Sequence, residues 1–230
     1  SSLLVVVGFY IRLKITETPS FENALETKKQ VKIPIMTILK SYKWELIFGT
    51  FAAVATFVTF YLMTVFSLSW ATSDLGFSRR DFLIIQLFSI LFFVAGIPIS
   101  AVLADKFGRK KVLVLISILI LLFGFTFSFF MDSGSSAMIT TFVCIGMGLM
   151  GLTYGPLGTF LSELFPTEVR YSGASLTFNL AGILGASFAP LIAIWLAKSY
   201  GIGYVGLYLS VAALISVLAL LAIRKKEEEF

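Results

Sequence analysis

Among the polar residues inside the long uncharged stretches of this 230-residue sequence, four are candidates for contacting a bound molecule: Tyr154, Asn179, Thr59 and Gln86. Their hydroxyl and amide groups donate and accept hydrogen bonds but carry no charge at neutral pH. Such groups can contact a bound small molecule, and they can also bond to their own helix or to a neighbouring one. We therefore predict that these four residues line a binding cavity, with helix packing as the alternative role of each.

The uncharged stretches lack the residues that acid–base catalysis or metal binding would need. The sequence has no histidine, and no Asp or Glu lies inside an uncharged stretch. An enzyme working there would need paired carboxylates, a nucleophile with its base, or metal ligands. Cys144 is the single cysteine, so a disulfide framework is excluded. We predict no catalytic residue, no metal site and no cofactor.

Charged residues gather in two short loops instead. Asp105, Gly108 and Arg109 stand in the first loop, and Glu163 and Arg170 in the second. Glycine permits a tight turn at the first loop, and opposite charges within reach of each other can pair. We predict that Asp105 or Glu163 pairs with one of the two arginines. The pair would act as a gate on the side of the protein where the two loops lie, which the Lys and Arg distribution below predicts to be cytoplasmic.

Six stretches without any charge account for most of the chain. The sequence is 58% hydrophobic and only 13% charged, whereas soluble domains carry about 25% charged residues. A helix needs roughly 20 apolar residues to cross the hydrocarbon of a bilayer, and each stretch has 20 to 26. The fold class is therefore an all-α integral membrane protein with six transmembrane helices, predicted at residues 46–70, 82–103, 112–131, 138–162, 172–197 and 204–223.

The distribution of Lys and Arg predicts the orientation. Fifteen of the 18 lie in 12–45, 104–111, 163–170 and 224–230, which all fall on the same side of the predicted bundle. Positively charged short loops stay in the cytoplasm, so both ends of the six-helix unit are predicted to be cytoplasmic. This bias also explains the net charge of +5, and no nucleic-acid partner is expected.

The first 45 residues divide into two parts. Residues 1–11 are apolar but only about half a span long, which we interpret as the end of a truncated transmembrane helix. Residues 12–45 are polar, with a helix start at Thr18 and an amphipathic piece from Pro34, and are interpreted as a cytoplasmic linker. Residues 46–230 form the six-helix domain.

Prolines and small residues distinguish the spans. The second, fourth and fifth spans each contain a proline, whereas the third and sixth are almost wholly apolar. Kinked helices border cavities, so we place the third and sixth spans on the lipid-facing outside. In the fourth span, small residues recur every three or four positions from Cys144 to Ser162, which predicts close packing on a neighbouring helix or a face that slides during gating.

Several motifs together carry a family resemblance. The run from Ala101 to Lys111 is similar to the loop signature G-x-L-x-D-R-x-G-R-R-R of the major facilitator superfamily, with Ala at the first position. A second acidic and basic loop, 161–173, follows the fourth span. With Arg12, 17–21, 154–156 and Asn179, these runs resemble the metabolite:proton symporter branch, over essentially the whole chain.

The resemblance implies helices seven to twelve of a twelve-helix secondary transporter. Its substrate would be a small organic acid or zwitterionic metabolite, moved with protons across the cytoplasmic (inner) membrane by alternating access. The bilayer and an N-terminal six-helix half of the same protein would be its partners. Because no span holds a carboxylate or histidine, the proton-coupling group is expected in that other half. A channel subunit or a structural six-helix membrane protein remains the alternative.

Overall fold

The computed structural model describes Tyr10 and residues 34–223. The sequence predictions for residues 1–9, 11–33 and 224–230 therefore lie outside the described residues. These include the truncated helix apart from Tyr10, most of the linker, and the motif from Arg12 to Phe21.

Helices account for most of the described chain. They are α1 Pro34–Ser41, α2 Lys43–Ser73, α3 Arg79–Phe107, α4 Arg109–Phe125, α5 Phe127–Met131, α6 Ser136–Glu163, α7 Arg170–Tyr200 and α8 Gly203–Ala222. Five of them, α2, α3, α6, α7 and α8, are long and apolar enough to cross a membrane.

The predicted third span is made of two pieces. α4 has 17 residues and ends before Thr126, whose hydroxyl donates to the Phe123 carbonyl oxygen at 2.7 Å, and α5 continues to Met131. A hydroxyl that bonds three residues back offers the backbone an alternative to the helical pattern, and helices often bend at such residues. The predicted six-span bundle is thus five long helices and one interrupted one.

The small-residue face of α6 packs on α3. A Cβ placed on Gly151 would lie 2.2 Å from the Phe93 carbonyl oxygen, and one on Gly155 would lie 2.6 Å from the Ile97 carbonyl oxygen. Only hydrogen fits between the two backbones at these points, because real Cβ contacts are never so short. Close packing on a neighbour was predicted, and α3 is that neighbour.

α8 closes the bundle by binding two other helices. Its Ser216 hydroxyl donates to the Phe51 carbonyl oxygen at 2.7 Å and accepts from the Ala55 amide at 3.0 Å, both on α2. The Ser210 hydroxyl donates to the Leu121 carbonyl oxygen of α4 at 2.8 Å. These bonds between a side chain and a neighbouring backbone fix the rotation of α8 about its axis.

Two spans widen locally into π-helix. In α2 the segment is Leu62–Phe66, and Gln86 of α3 donates to the Met63 and Thr64 carbonyl oxygens at 3.1 and 2.6 Å. In α7 the segment is Ile183–Ser187, just before Pro190. Pro190, which lacks an amide proton, follows the second irregularity, whereas Pro98 and Pro156 lie in uninterrupted α-helix and no proline marks the first.

A small separate core holds α1. Ile38 is fully buried and clusters with Leu46 of α2 and with Phe165 and Val169, which precede α7. The amphipathic helix predicted from Pro34 is therefore present, and Ile38 packs it on the six-helix domain while Ile35 and Leu39 stay exposed.

Candidate functional site

A partly open cavity of about 580 Å³ lies between α2, α3, α6 and α7. Of its described lining residues, none comes from α4 or α8 and none is charged. Six of them are aromatic: Phe57, Phe60, Tyr61, Phe93, Tyr154 and Phe178. The volume falls within the range of small-molecule sites, and a mostly apolar wall with a few polar groups is typical of such sites.

Two of the four predicted cavity residues meet there. Tyr154 of α6 and Asn179 of α7 both line the cavity, although 25 residues separate them in the sequence. Both are substantially exposed to it, with 41% of the Tyr154 surface accessible. Both predicted residues therefore lie at the same cavity, and their contact with a bound molecule stays a prediction.

Thr59 and Gln86 lie elsewhere. Thr59 is fully buried and donates to the Ala55 carbonyl oxygen at 2.7 Å. At about 100° per residue, it lies roughly 130° around α2 from the middle of the face formed by the lining residues 56, 57, 60 and 61. Gln86 is engaged with the π-helical segment of α2. Neither is among the described lining residues, because each fulfils the alternative role of bonding to a helix backbone.

Four aromatic rings form a continuous series across the cavity wall. Phe93 contacts Tyr154 with centroids 5.7 Å apart, Tyr154 contacts Phe178 at 6.4 Å, and Phe178 contacts Phe57 at 4.9 Å. Each pair is edge to face, with interplanar angles of 63° to 74°. The four rings come from α3, α6, α7 and α2. Sequence reasoning missed the phenylalanines, because a cavity-facing Phe and a lipid-facing Phe look alike in a chain with 24 of them.

The amide of Asn179 has a defined orientation. Its Nδ2 donates to the Ser175 carbonyl oxygen at 2.8 Å and contacts the Ser175 hydroxyl at 3.4 Å. A carbonyl oxygen only accepts, so the group bonded to it must be the NH2. Asn179 Oδ1 is thus left as a hydrogen-bond acceptor at the cavity.

Three of the predicted gate residues, Gly108, Arg109 and Glu163, lie at one end of the bundle, and together with Lys110 they define what we call the basic end. Arg109 Nη1 and Glu163 Oε1 form an ion pair at 2.5 Å, with 36% and 47% of the two side chains exposed. Gly108 has φ = 90° and links α3 to α4 directly. One of the predicted pairs is therefore present, with the glycine turn presenting Arg109.

The other two predicted gate residues are not paired. Arg170 Nε donates to the Phe165 carbonyl oxygen at 3.3 Å. Asp105 is exposed and forms no ion pair with any of the described residues. Lys110, which was not singled out from the sequence, donates to the Ile223 and Leu221 carbonyl oxygens at 2.6 and 3.3 Å and so binds the end of α8. The sequence does not indicate which carbonyl oxygens a lysine in a basic loop will contact.

Comparison with known proteins settles the family. The Major Facilitator Superfamily matches residues 1–186 and 50–230, which together cover the whole chain. The chain belongs to the Major Facilitator Superfamily. This confirms the family predicted from the loop motifs, and an all-α membrane fold accords with it.

Several relatives within the Major Facilitator Superfamily are named as transport proteins. The chain is 45% identical over 96% of its length to the inner membrane metabolite transport protein YhjE of Escherichia coli (strain K12). It is 39% identical over 96% to a putative metabolite transport protein of Haemophilus influenzae and 27% identical over 99% to the shikimate transporter of Escherichia coli (strain K12). These names agree with the prediction that the chain is not an enzyme.

The chain spans about half the length of these curated relatives, 51% of the first and 53% of the other two. That share agrees with the predicted half of a twelve-helix fold. The five long apolar helices and the similarity to an inner membrane protein indicate that the chain is part of a multi-pass membrane protein.

Proposed function

We propose that this chain forms one wall of the substrate path in a secondary active transporter. The observation that supports this most directly is the uncharged, largely aromatic cavity between four membrane-spanning helices, in a chain homologous to metabolite transport proteins. Transporters of this general kind bind substrate near the middle of the membrane, where two helical repeats meet. The substrate would be a small organic acid or a zwitterionic metabolite, and Tyr154 and Asn179 would contact it.

Proton coupling is the second part of the proposal. A symporter needs a group that gains and loses a proton within the membrane, usually a carboxylate or a histidine. The sequence has no histidine, and its six uncharged stretches contain no carboxylate. The coupling group would then lie in an N-terminal six-helix half of the same protein, joined to this half through residues 12–45.

The third part concerns orientation and gating. We place the basic end in the cytoplasm of a cell with this protein in its inner membrane, because 15 of the 18 Lys and Arg residues belong to segments that the sequence predicts on that side. The exposed Arg109–Glu163 pair would favour the conformation closed on this side. Exposed pairs contribute only about 0–1 kcal/mol, so this one would bias two states rather than hold the fold.

Uptake by the full-length protein in liposomes tests the proposal. We expect radiolabelled organic acids or zwitterions to accumulate above the external concentration when the lumen is alkaline, and the accumulation to collapse with a protonophore. A channel would only equilibrate the solute, and a structural protein would move none. Equilibration without accumulation, or no uptake across a broad panel, would overturn the proposal.

A further inference from the structure

The four contacting rings of the cavity, Phe57, Phe93, Tyr154 and Phe178, are called here the aromatic wall. Successive planes are inclined by 63° to 74°, so the ring faces point in more than one direction. Each ring comes from a different helix. A set of non-parallel rings around one space has the geometry of the aromatic cages that bind ammonium groups, because the negative faces of the rings attract a cation.

The other lining groups favour a cation over an anion. Among the described residues that line the cavity there is no Lys or Arg to neutralise a carboxylate. Asn179 presents its acceptor Oδ1, since its NH2 is bonded to the Ser175 carbonyl oxygen. A carboxylate placed here would lose its hydration and find only uncharged donors, such as the hydroxyls of Tyr154 and Ser187, beside the negative ring faces, whereas an ammonium group would find attractive ring faces and a carbonyl-type oxygen.

We propose that the aromatic wall binds the ammonium end of a zwitterionic substrate, an inference that rests on the proposed function. A quaternary ammonium would contact the ring faces alone, and an ammonium that carries protons would also donate to Asn179 Oδ1. The carboxylate of the same molecule would point away from this wall, towards the opposite side of the substrate path. Among small metabolites, the wall therefore selects amino-acid-like and betaine-like solutes over plain organic acids.

The test compares ligands that differ only in the positive charge. Glycine betaine and 3,3-dimethylbutanoate have the same shape, with nitrogen in one and carbon in the other, and proline and cyclopentanecarboxylate form a second pair. Binding of each probe to the purified full-length protein would be measured by calorimetry. We expect at least one zwitterion to bind at least tenfold more tightly than its carbon counterpart.

Substitutions then locate the effect. Tyr154→Leu and Phe178→Leu should each weaken binding of that zwitterion at least fivefold, while Tyr154→Phe should retain it, since the ring is kept. Phe129→Leu is the matched control, because Phe129 is an exposed aromatic residue of α5 outside the described cavity lining. Melting temperatures of all variants identify any that do not fold, and Tyr154→Phe against Tyr154→Leu remains the decisive comparison.

The outcomes separate this inference from the proposed function. If the protein accumulates organic acids such as shikimate but binds neither zwitterion better than its carbon counterpart, the inference is wrong and the transporter proposal stands. Loss of binding in Phe129→Leu equal to that in Tyr154→Leu would also overturn the inference. If no solute accumulates at all, the transporter proposal itself fails.

Discussion

At the scale of single residues, position on a helix decides between binding and packing. Tyr154 and Asn179 are cavity candidates in the sequence because they are polar residues in apolar spans, and both line the cavity. Thr59 satisfied the same criterion but faces the helix packing of α2, where its hydroxyl bonds to its own backbone. Depth in the membrane can be read from the sequence, but the face that a neighbour covers cannot.

Removing the ion pair at the basic end should alter gating more than stability. In Glu163→Gln the Arg109 guanidinium loses its charged partner, and an exposed pair contributes about 0–1 kcal/mol. We expect the free energy of unfolding to fall by less than about 1 kcal/mol. We also expect faster maleimide labelling of a cysteine at the cavity. In a Cys144→Ser background, Glu163→Gln should raise the rate at which Asn179→Cys is labelled from the basic end by up to about fivefold.

Glu168→Gln is the control for that experiment, because Glu168 lies in the loop just after Glu163 and α6 and forms no ion pair with the described residues. Exchanging the two charges, Arg109→Glu with Glu163→Arg, should restore the original labelling rate. An unchanged rate in Glu163→Gln would show that this pair has no part in gating.

At the scale of helices, the contact between α3 and α6 depends on glycine. A Cβ at Gly151 would overlap the Phe93 carbonyl oxygen, and backbone cannot move aside as a side chain can. Gly151→Ala should lower the free energy of unfolding by about 1–3 kcal/mol, as overpacking does. Gly158→Ala on the same helix is the matched control, since no atom lies within 4 Å of its added Cβ. Thermal unfolding of both full-length variants measures the difference, and equal melting temperatures would contradict the close approach.

The π-helical segment of α2 should depend on Gln86. In Gln86→Leu the Met63 and Thr64 carbonyl oxygens lose their amide donor inside the membrane. We expect a loss of about 0.6–3 kcal/mol in stability and faster hydrogen exchange in Leu62–Phe66. Thr141→Val, which removes an exposed hydroxyl bonded within α6, serves as the control. Unchanged exchange in this segment would show that the segment persists without the glutamine.

The helices differ in how far the sequence determines them. The positions of the five long helices follow from uncharged length to within four residues at each end, and Pro190 marks the break in α7. The interruption at Thr126 and the π-helix of α2 could not be foreseen, because each arises from one or two local bonds among apolar residues. The small residues of α6 predict that another helix comes close. They do not predict which helix it is, because that depends on the backbone of α3, against which Gly151 packs.

At the scale of the whole molecule, the bundle has one face around the cavity and another formed by α4 and α8. Neither α4 nor α8 is among the described cavity-lining elements, and both expose large apolar side chains, such as Leu115 and Leu218, as predicted for helices in contact with lipid. A membrane-impermeant maleimide should therefore label Asn179→Cys and Ser187→Cys in a Cys144→Ser background, but not Leu115→Cys or Leu218→Cys. Rapid labelling of Leu115→Cys or Leu218→Cys would contradict the placement of these helices in lipid.

The double hydrogen bond of Ser216 has a consequence for biosynthesis. It joins α8 to α2 across 161 residues of sequence, so the first long helix of this unit enters the membrane well before its partner has been translated. Until then the Phe51 carbonyl oxygen and the Ala55 amide have only bonds within their own helix, and the groove that α8 will fill stays open to lipid. Closure of the bundle must therefore wait for the last helix to leave the ribosome.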